Sequence, residues 1–323
     1  MSTPVPASAI APAKPLAHRT LLCEETRVPY PSRPHAPSNH PYPQRPSPPP
    51  LPLPVGVPDD ARVVYGLHAV TELLRNTQSH VYALCVASGL RSGPPATGDN
   101  LTSLRALAEE RGVSIVERLR GDLDRMTRGG VHQGVVALCS AFEYAQSVHD
   151  ILRAAEPAPP LVVILDGVTD PQNLGALVRS SYVLGAHGVV LPMNHSASVT
   201  AAAAKAAAGA TEVLPIAQVA NLVRTLHEIK SRDLQILAAV APGQGGTLAW
   251  DVDLTRPTAL VLGSEGRGLR PMVRKCCDGR IEVPMQGGMH GASLNVSAAG
   301  AVLLYEALRQ RRSRTVASHS APL

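Results

Sequence analysis

Apolar positions divide the chain before any single residue does. After Gly66, LHAVTELLR repeats apolar residues at helical spacing, and VYALCVA (81–87) is an apolar run of strand length. LTSLRALAEERG (101–112) places Leu101, Leu104, Leu107 and Ala108 on one helical face, with Gly112 as its stop. VSIVE (113–117) predicts a strand, GDLDRMTRG (121–129) a short helix and GVVALCSA (134–141) a closing strand. Residues 61–146 thus form a small α/β domain, and the Pro-rich AAEPAPP (154–160) marks its boundary.

From Leu161 the pattern becomes strand, loop, helix, repeated. LVVIL leads to a helix over 174–184, then the strand HGVVLP and an Ala-rich helix over 199–208. EVLPI (212–216) predicts the next strand, and VANLVRTLHEIKSR a helix. Strands LQILAAV and TALVLG follow, then a short helix near 270–277, strand RIEVP and helix SLNVSAAGAVLLYEALRQRR. Continuous apolar strands alternating with helices predict a parallel sheet covered on both faces, over residues 158–313. Ligands of such sheets sit at the carboxyl ends of the strands. The loops DGVTDPQN, GSEGRG and PMQGGMHGA are therefore the ones to search for chemistry.

Both ends read differently. Residues 1–60 hold more than half of the 30 prolines, including PQRPSPPPLPLP, and are expected to be a disordered tail or a targeting segment. A mitochondrial presequence would be rich in Arg and poor in acids, whereas Lys14 and Arg19 are the only Lys or Arg before Glu24 and Glu25. Residues 314–323 read as a flexible tail. The expected location is cytoplasmic, with mitochondrion or plastid as the alternative.

Composition narrows the partners. A net charge of +5 and a pI near 9.1 suit a polyanion such as RNA without demanding one. Aromatics make up 3%, with one Phe and one Trp, which argues against a base-stacking platform of several rings. Cysteines at 23, 85, 139, 276 and 277 form no CxxC, which predicts a reduced intracellular protein without a disulfide framework or zinc knuckle. His195 and His290 are isolated near loops and imply no metal. No apolar run approaches the ~18 residues a membrane span requires.

Three short segments hold the candidate chemistry. In GSEGRG, Gly263, Gly266 and Gly268 permit close backbone approach, but the spacing is neither a dinucleotide fingerprint nor a P-loop, and a plain strand-to-helix turn also explains it. In SLNVS, Ser293 is a candidate helix cap with Asn295 in the first turn. The RQRRSR run that follows is either a phosphate neutraliser or a solvated helix end. In LDGVTDPQNLGALVRSS (165–181), Asn173 is the candidate N-cap, and Gly175 clears the helix face beside Arg179. That Arg is either half of an ion pair with Glu265 or Asp166, or a guanidinium held ready for an oxygen.

Taken in order, DGVTDPQNLGALVRSS, ALVLGSEGRGL with IEVPM, and SLNVSAAGAVLLYEAL resemble the three motifs of the SpoU branch of the SPOUT RNA methyltransferases. VVYGLHAVTELL and GGVHQGVVAL resemble the two ends of the ribosomal-protein-like, RNA-binding N-terminal domain found in that family's large-subunit rRNA guanosine-2′-O members. The resemblance covers 62–311. It implies a parallel-sheet SPOUT fold with a deep C-terminal trefoil knot, a homodimer with the active site at its interface, and S-adenosylmethionine as methyl donor. The implied reaction is methyl transfer to a ribose 2′-OH of large-subunit rRNA. A tRNA ribose methyltransferase and a non-catalytic RNA-binding assembly factor are the alternatives. A nicotinamide dehydrogenase is opposed by the lack of G-x-G-x-x-G after a first strand.

The same resemblance assigns roles. Arg179 contacts the 2′-OH, and Asn173 holds the loop and orients it. Glu265 fixes that Arg or the knot loops, while Ser293 and Asn295 organise the pocket. Leu262, Gly263, Val283, Met285 and Leu294 surround the adenine and ribose of the cofactor, largely through backbone groups. The QGGMHGA stretch is longer by about two residues than in close bacterial relatives and, being Gly-rich, is expected to loop out without disturbing Leu294.

Overall fold

The computed structural model describes residues 51–89, 95–286 and 293–319, with 95–100 and 315–319 by backbone alone. The expected tail through residue 50, the loop tip 287–292 with His290, and residues 320–323 lie outside the described residues. The first elements are β1 (Arg62–Tyr65), α1 (Leu67–Arg75), β2 (Val81–Ala87), α2 (Pro95–Glu110), β3 (Ser114–Arg118), α3 (Arg120–Met126) and β4 (Val135–Cys139). They form a four-stranded mixed sheet in the order β1-β4-β2-β3. One face packs on α1 and α2 through Val64, Leu73, Leu84, Leu104 and Ala108; the other covers Tyr65, Cys85 and Leu123. Leu53 and Val57, from the stretch expected to be tail, pack against this second face.

A helix the apolar pattern did not predict follows: α4 (Val148–Ala155), capped by Ser147, whose side chain accepts from the Asp150 amide. It buries Val148, Ile151, Leu152 and Ala155, so the expected linker from Ala154 begins inside a helix. Then come β5 (Leu161–Asp166), α5 (Pro171–Val183), β6 (Gly188–Pro192), α6 (Ala201–Ala206), a 3-10 turn at Ala210–Glu212 and β7 (Ile216–Val219). The last group is α7 (Leu222–Lys230), β8 (Gln235–Val240), β9 (Thr247–Leu248), β10 (Thr258–Gly263), α8 (Pro271–Cys276), β11 (Gly279–Glu282) and α9 (Val296–His319). The EVLPI expectation is corrected: Glu212 belongs to the 3-10 turn, where it is drawn into a buried ion pair, and the strand starts only at Ile216.

These strands build a seven-stranded sheet, β7-β6-β5-β10-β8-β11-β9, in which every described pairing is parallel. Strand alternation explains the layers. Leu161, Val163 and Leu165 face α5, α6 and α9, whereas Val162 and Ile164 face α4, α7 and α8. Two close approaches pin the first layer. A Cβ on Gly175 would lie 2.4 Å from the Ala203 carbonyl oxygen of α6, and one on Gly300 of α9 would lie 2.5 Å from Leu177 of α5.

The basic run at the end of α9 is mostly exposed, with Arg309, Arg312 and Arg314 at the surface and Arg311 turned inward. Arg309 pairs with Glu306 at 2.7 Å, and Arg314 donates to the Thr255 hydroxyl at 2.9 Å. Arg311 donates to the carbonyls of Pro159, Pro160, Leu254 and Arg256, groups just ahead of β5 and β10. The last helix also runs through His319, past the expected domain end at residue 313. No helix among the described residues is long and apolar enough to cross a membrane.

Candidate active site

Adjacent β5 and β10 end in register, with Asp166 opposite Gly263. The loop after each strand therefore leaves the sheet at the same edge, and α9 begins beside them. Asp170, rather than Asn173, caps α5: its carboxylate accepts from the Gln172 amide at 3.0 Å. Pro171 takes the first helical position, where its missing N–H costs nothing. That shift places Asn173 inside the first turn, buried at 8% exposure. Asn295, rather than Ser293, sits directly before α9, and its Oδ1 accepts from the Ser297 amide at 2.9 Å.

With their caps so placed, three distant segments meet. Asn173 donates through Nδ2 to Glu265 Oε1 at 3.0 Å. Asn295 donates through Nδ2 to Asn173 Oδ1 at 3.0 Å and to Glu265 Oε1 at 2.6 Å. One carboxylate oxygen thus takes two amide donors, and each Asn holds the other's loop.

Glu265 reaches this position from a tight reversal. The Ser264 amide donates to the Gly268 carbonyl at 3.1 Å, and the Gly268 amide returns a bond to Ser264 at 2.9 Å. Gly266 and Gly268 have φ of 78° and 65°, which L side chains rarely adopt. Gly263 serves the loop itself: a Cβ there would fall 2.3 Å from the Gly268 carbonyl carbon. The far end is anchored by Asp166, fully buried, which accepts from Arg270 through its amide at 2.8 Å and its Nε at 2.6 Å.

Both acids offered as partners for Arg179 are therefore engaged elsewhere. Arg179 lies on the exposed face of α5 beside Tyr182 and Val183, with no side-chain partner among the described residues. Gly175 does not clear room for it; its missing side chain admits the α6 backbone instead.

A cavity of about 720 Å³ opens at the carboxyl ends of β8, β10 and β11. Its wall includes Gly263, Val283, Met285 and Leu294, four of the five positions expected to hold a cofactor, and also Glu265 and Ser293. Leu262, the fifth, is 2% exposed and turns into the core toward Gly300. Arg179, Asn173 and Asn295 are not part of the wall. Residues unpredicted from sequence complete it: Ala239 and Val240 at the end of β8, Ala241, Pro242 and Gln244 after it, and Arg267 and Arg274. The Pro-Gly loop after LQILAAV carried the relevant signal, since it too follows the carboxyl end of a strand. His195 is exposed, and no group of three or more metal-ligating side chains occurs among the described residues.

A parallel sheet, a cavity at its carboxyl edge and three loops tied by two amides and a carboxylate define an α/β protein built to hold a small ligand beside a polar cluster. Residues 160–305 match the SpoU rRNA methylase family, and residues 63–145 match the RNA 2′-O ribose methyltransferase substrate-binding family. The 23S rRNA (guanosine-2′-O-)-methyltransferase RlmB of Pseudomonas syringae pv. tomato is 40% identical over 252 residues, which cover 78% of this chain and 96% of that protein. An uncharacterized tRNA/rRNA methyltransferase of Mycolicibacterium gilvum is 43% identical over 79% of this chain and 78% of its own. The solved SpoU methyltransferase AviRb from Streptomyces viridochromogenes shares 25% identity at a TM-score of 0.63, covering 79% of this chain and 91% of that one. The same enzyme in complex with AdoMet gives a TM-score of 0.62 at 24% identity, covering 78% and 90%. The chain belongs to the SpoU rRNA methylase family.

Proposed function

We propose that this protein transfers a methyl group from S-adenosylmethionine to the 2′-OH of a guanosine ribose in large-subunit rRNA. The observation that carries the reading is the Asn173–Glu265–Asn295 cluster beside the cavity, formed by the three segments that resemble the family motifs. The choice of substrate is supported by the RlmB relative at 40% identity. The cavity suits the donor: its volume is within the ~300–1,000 Å³ usual for small-molecule sites, and Val283, Met285 and Leu294 offer apolar surface for a flat base. When bound, the donor supplies a methyl already activated on a sulfonium.

The protein's own task is to align the hydroxyl and manage its proton. Arg179 would orient the 2′-OH and stabilise the negative charge that develops on its oxygen as the proton leaves. A guanidinium offers donors and no acceptor, so the proton passes to a water or a phosphate oxygen of the RNA. Asn173, Glu265 and Asn295 fix the start of α5, and Ser293 closes the cavity wall.

Arg179 lies outside that wall, which fits a site completed by a second copy of the chain. Tyr182 and Val183 on α5, and Val302 and Tyr305 on the adjacent α9, are large exposed side chains and make the face we assign to the homodimer. We read the C-terminal segment as threaded into the trefoil knot that the motif resemblance implies.

The test is transfer of labelled methyl from S-adenosylmethionine to rRNA and tRNA transcripts, followed by nucleoside mapping. One 2′-O-methylguanosine in rRNA is expected. Label confined to tRNA would select the tRNA reading, and RNA binding without label would select an assembly factor. Arg179→Ala should abolish transfer while the protein stays folded, because that side chain has no intramolecular partner among the described residues; full activity in the variant would remove Arg179 from the mechanism.

A further inference from the structure

The sheet that matches the substrate-binding family is tied to the methyltransferase sheet by a buried ion pair that catalysis does not use. Arg62, the first residue of β1, donates through both terminal nitrogens to the two carboxylate oxygens of Glu212, each at 3.0 Å. Their side chains are 9% and 1% exposed. The guanidinium also lies over the Phe142 ring, 5.3 Å from its centre. Thr211 donates to Glu212 Oε1 at 3.1 Å, and Asn76, just after α1, donates to the Glu212 carbonyl at 2.8 Å.

The surrounding contacts run across the same junction. Gln133 Oε1 accepts from the Leu67 amide at 3.1 Å and from Lys205 of α6 at 3.0 Å. A Cβ on Gly209 would strike Glu72 of α1 at 2.5 Å. The connecting chain is stitched down as well. The Ala145 amide donates to the Ile216 carbonyl at 2.8 Å beside β7, and the Tyr144 hydroxyl accepts from the Val199 amide at 3.1 Å. Phe142 and Tyr144 pack into the core of the larger sheet.

These contacts have a direction. Glu212 and Lys205 lie on and just after α6, and α6 packs backbone to backbone on Gly175 of α5. Helix α5 carries Asn173 and Arg179. We propose that Arg62 and Glu212 are positioning residues that lock the substrate-binding sheet to α6 and α5, so that a fixed reach from the RNA-holding sheet to Arg179 selects the target ribose in a folded RNA. The selection step rests on the proposed methyl transfer; the lock does not.

Amide hydrogen exchange on the full chain tests the lock without substrate. In the wild type, the Ala145 amide and the Phe142–Ser147 segment exchange slowly. In Arg62→Ala, which strands Glu212 without its partner, that segment exchanges roughly tenfold faster or more, while β5 and β10 stay protected. Arg62→Lys keeps a charge but not the two-pronged geometry; it gives an intermediate rate and reads the same quantity if Arg62→Ala does not fold. Fast exchange in the wild type, or no change in either variant, overturns the lock.

Methyl mapping tests the ruler. On a folded rRNA fragment, Arg62→Lys raises KM and spreads label to neighbouring riboses, whereas kcat on a short single-stranded oligonucleotide is unchanged. Label confined to the wild-type nucleotide in a variant whose linker has opened overturns the ruler. Absence of transfer by the wild type would defeat the proposed reaction and leave the exchange result standing.

Discussion

His187 sits at the amino end of the large sheet, where its Nδ1 accepts from the Leu161 amide at 3.0 Å. Half-burial and then the nearby Arg311 charge push its pKa below the ordinary 6.5, so the fold prefers the neutral ring. The sign follows from linkage: its contribution to stability is present in full above about pH 6.5 and is lost as pH falls through the lower folded value. The wild-type melting temperature should therefore drop more between pH 8 and pH 5 than that of His187→Gln; equal slopes would show that this ring is silent. Nothing in the sequence marked His187, because its neighbours come from residues far along the chain. Asn173, Glu265 and Asn295 stood out because they lie in the three segments that resemble the family motifs; from the residues alone they read as caps and a turn. Their arrangement was not legible: which residue caps a helix turned on Pro171 and on the last helix starting at Val296, directly after Asn295. Gly175 was seen for the right absence and the wrong neighbour, since helix periodicity shows Arg179 on its face but not the α6 backbone against it.

The reversal from Gly263 to Gly268 shows how a short element can be dictated by what it lacks. Any side chain at Gly263 meets backbone rather than the flexible end of another side chain, so the loop itself must move. Gly263→Ala should weaken S-adenosylmethionine binding by about tenfold or more in calorimetry, the loss expected from distorting several contacts worth about 1 kcal/mol each. Arg179→Ala, away from the cavity, should bind the cofactor as the wild type does. Most strands and helices could be read from periodicity, and the strand–loop–helix alternation was enough for a parallel sheet. Helix α4 escaped because its apolar residues fall in eight positions squeezed between loops. The start of β7 escaped because Glu212, β-compatible in the local pattern, is recruited by Arg62 from 150 positions away. The order of strands, and hence the Ala239–Pro242 wall, is a property of pairing that no local pattern encodes.

Arg311 gathers four carbonyls from two separate crossings of the chain, and its own burial holds its pKa below the usual guanidinium value. Arg311→Ala leaves those carbonyls to find water at a crowded edge, and should cost about 2 kcal/mol or more in urea unfolding. Arg311→Lys, with one donor centre in place of a fork, should recover only part of that. The same clasp has a consequence for synthesis. Pro159 and Pro160 leave the ribosome about 150 residues before the side chain that closes over them. At ~5–20 residues per second, the opening strand of the methyltransferase domain waits on the order of ten seconds for its last helix. During that interval the apolar face of β5 that α9 helps to cover is exposed to any other nascent segment nearby. Completion of this domain is thus a late, long-range event timed by the emergence of α9, and the window before it is when assistance from a chaperone would matter most.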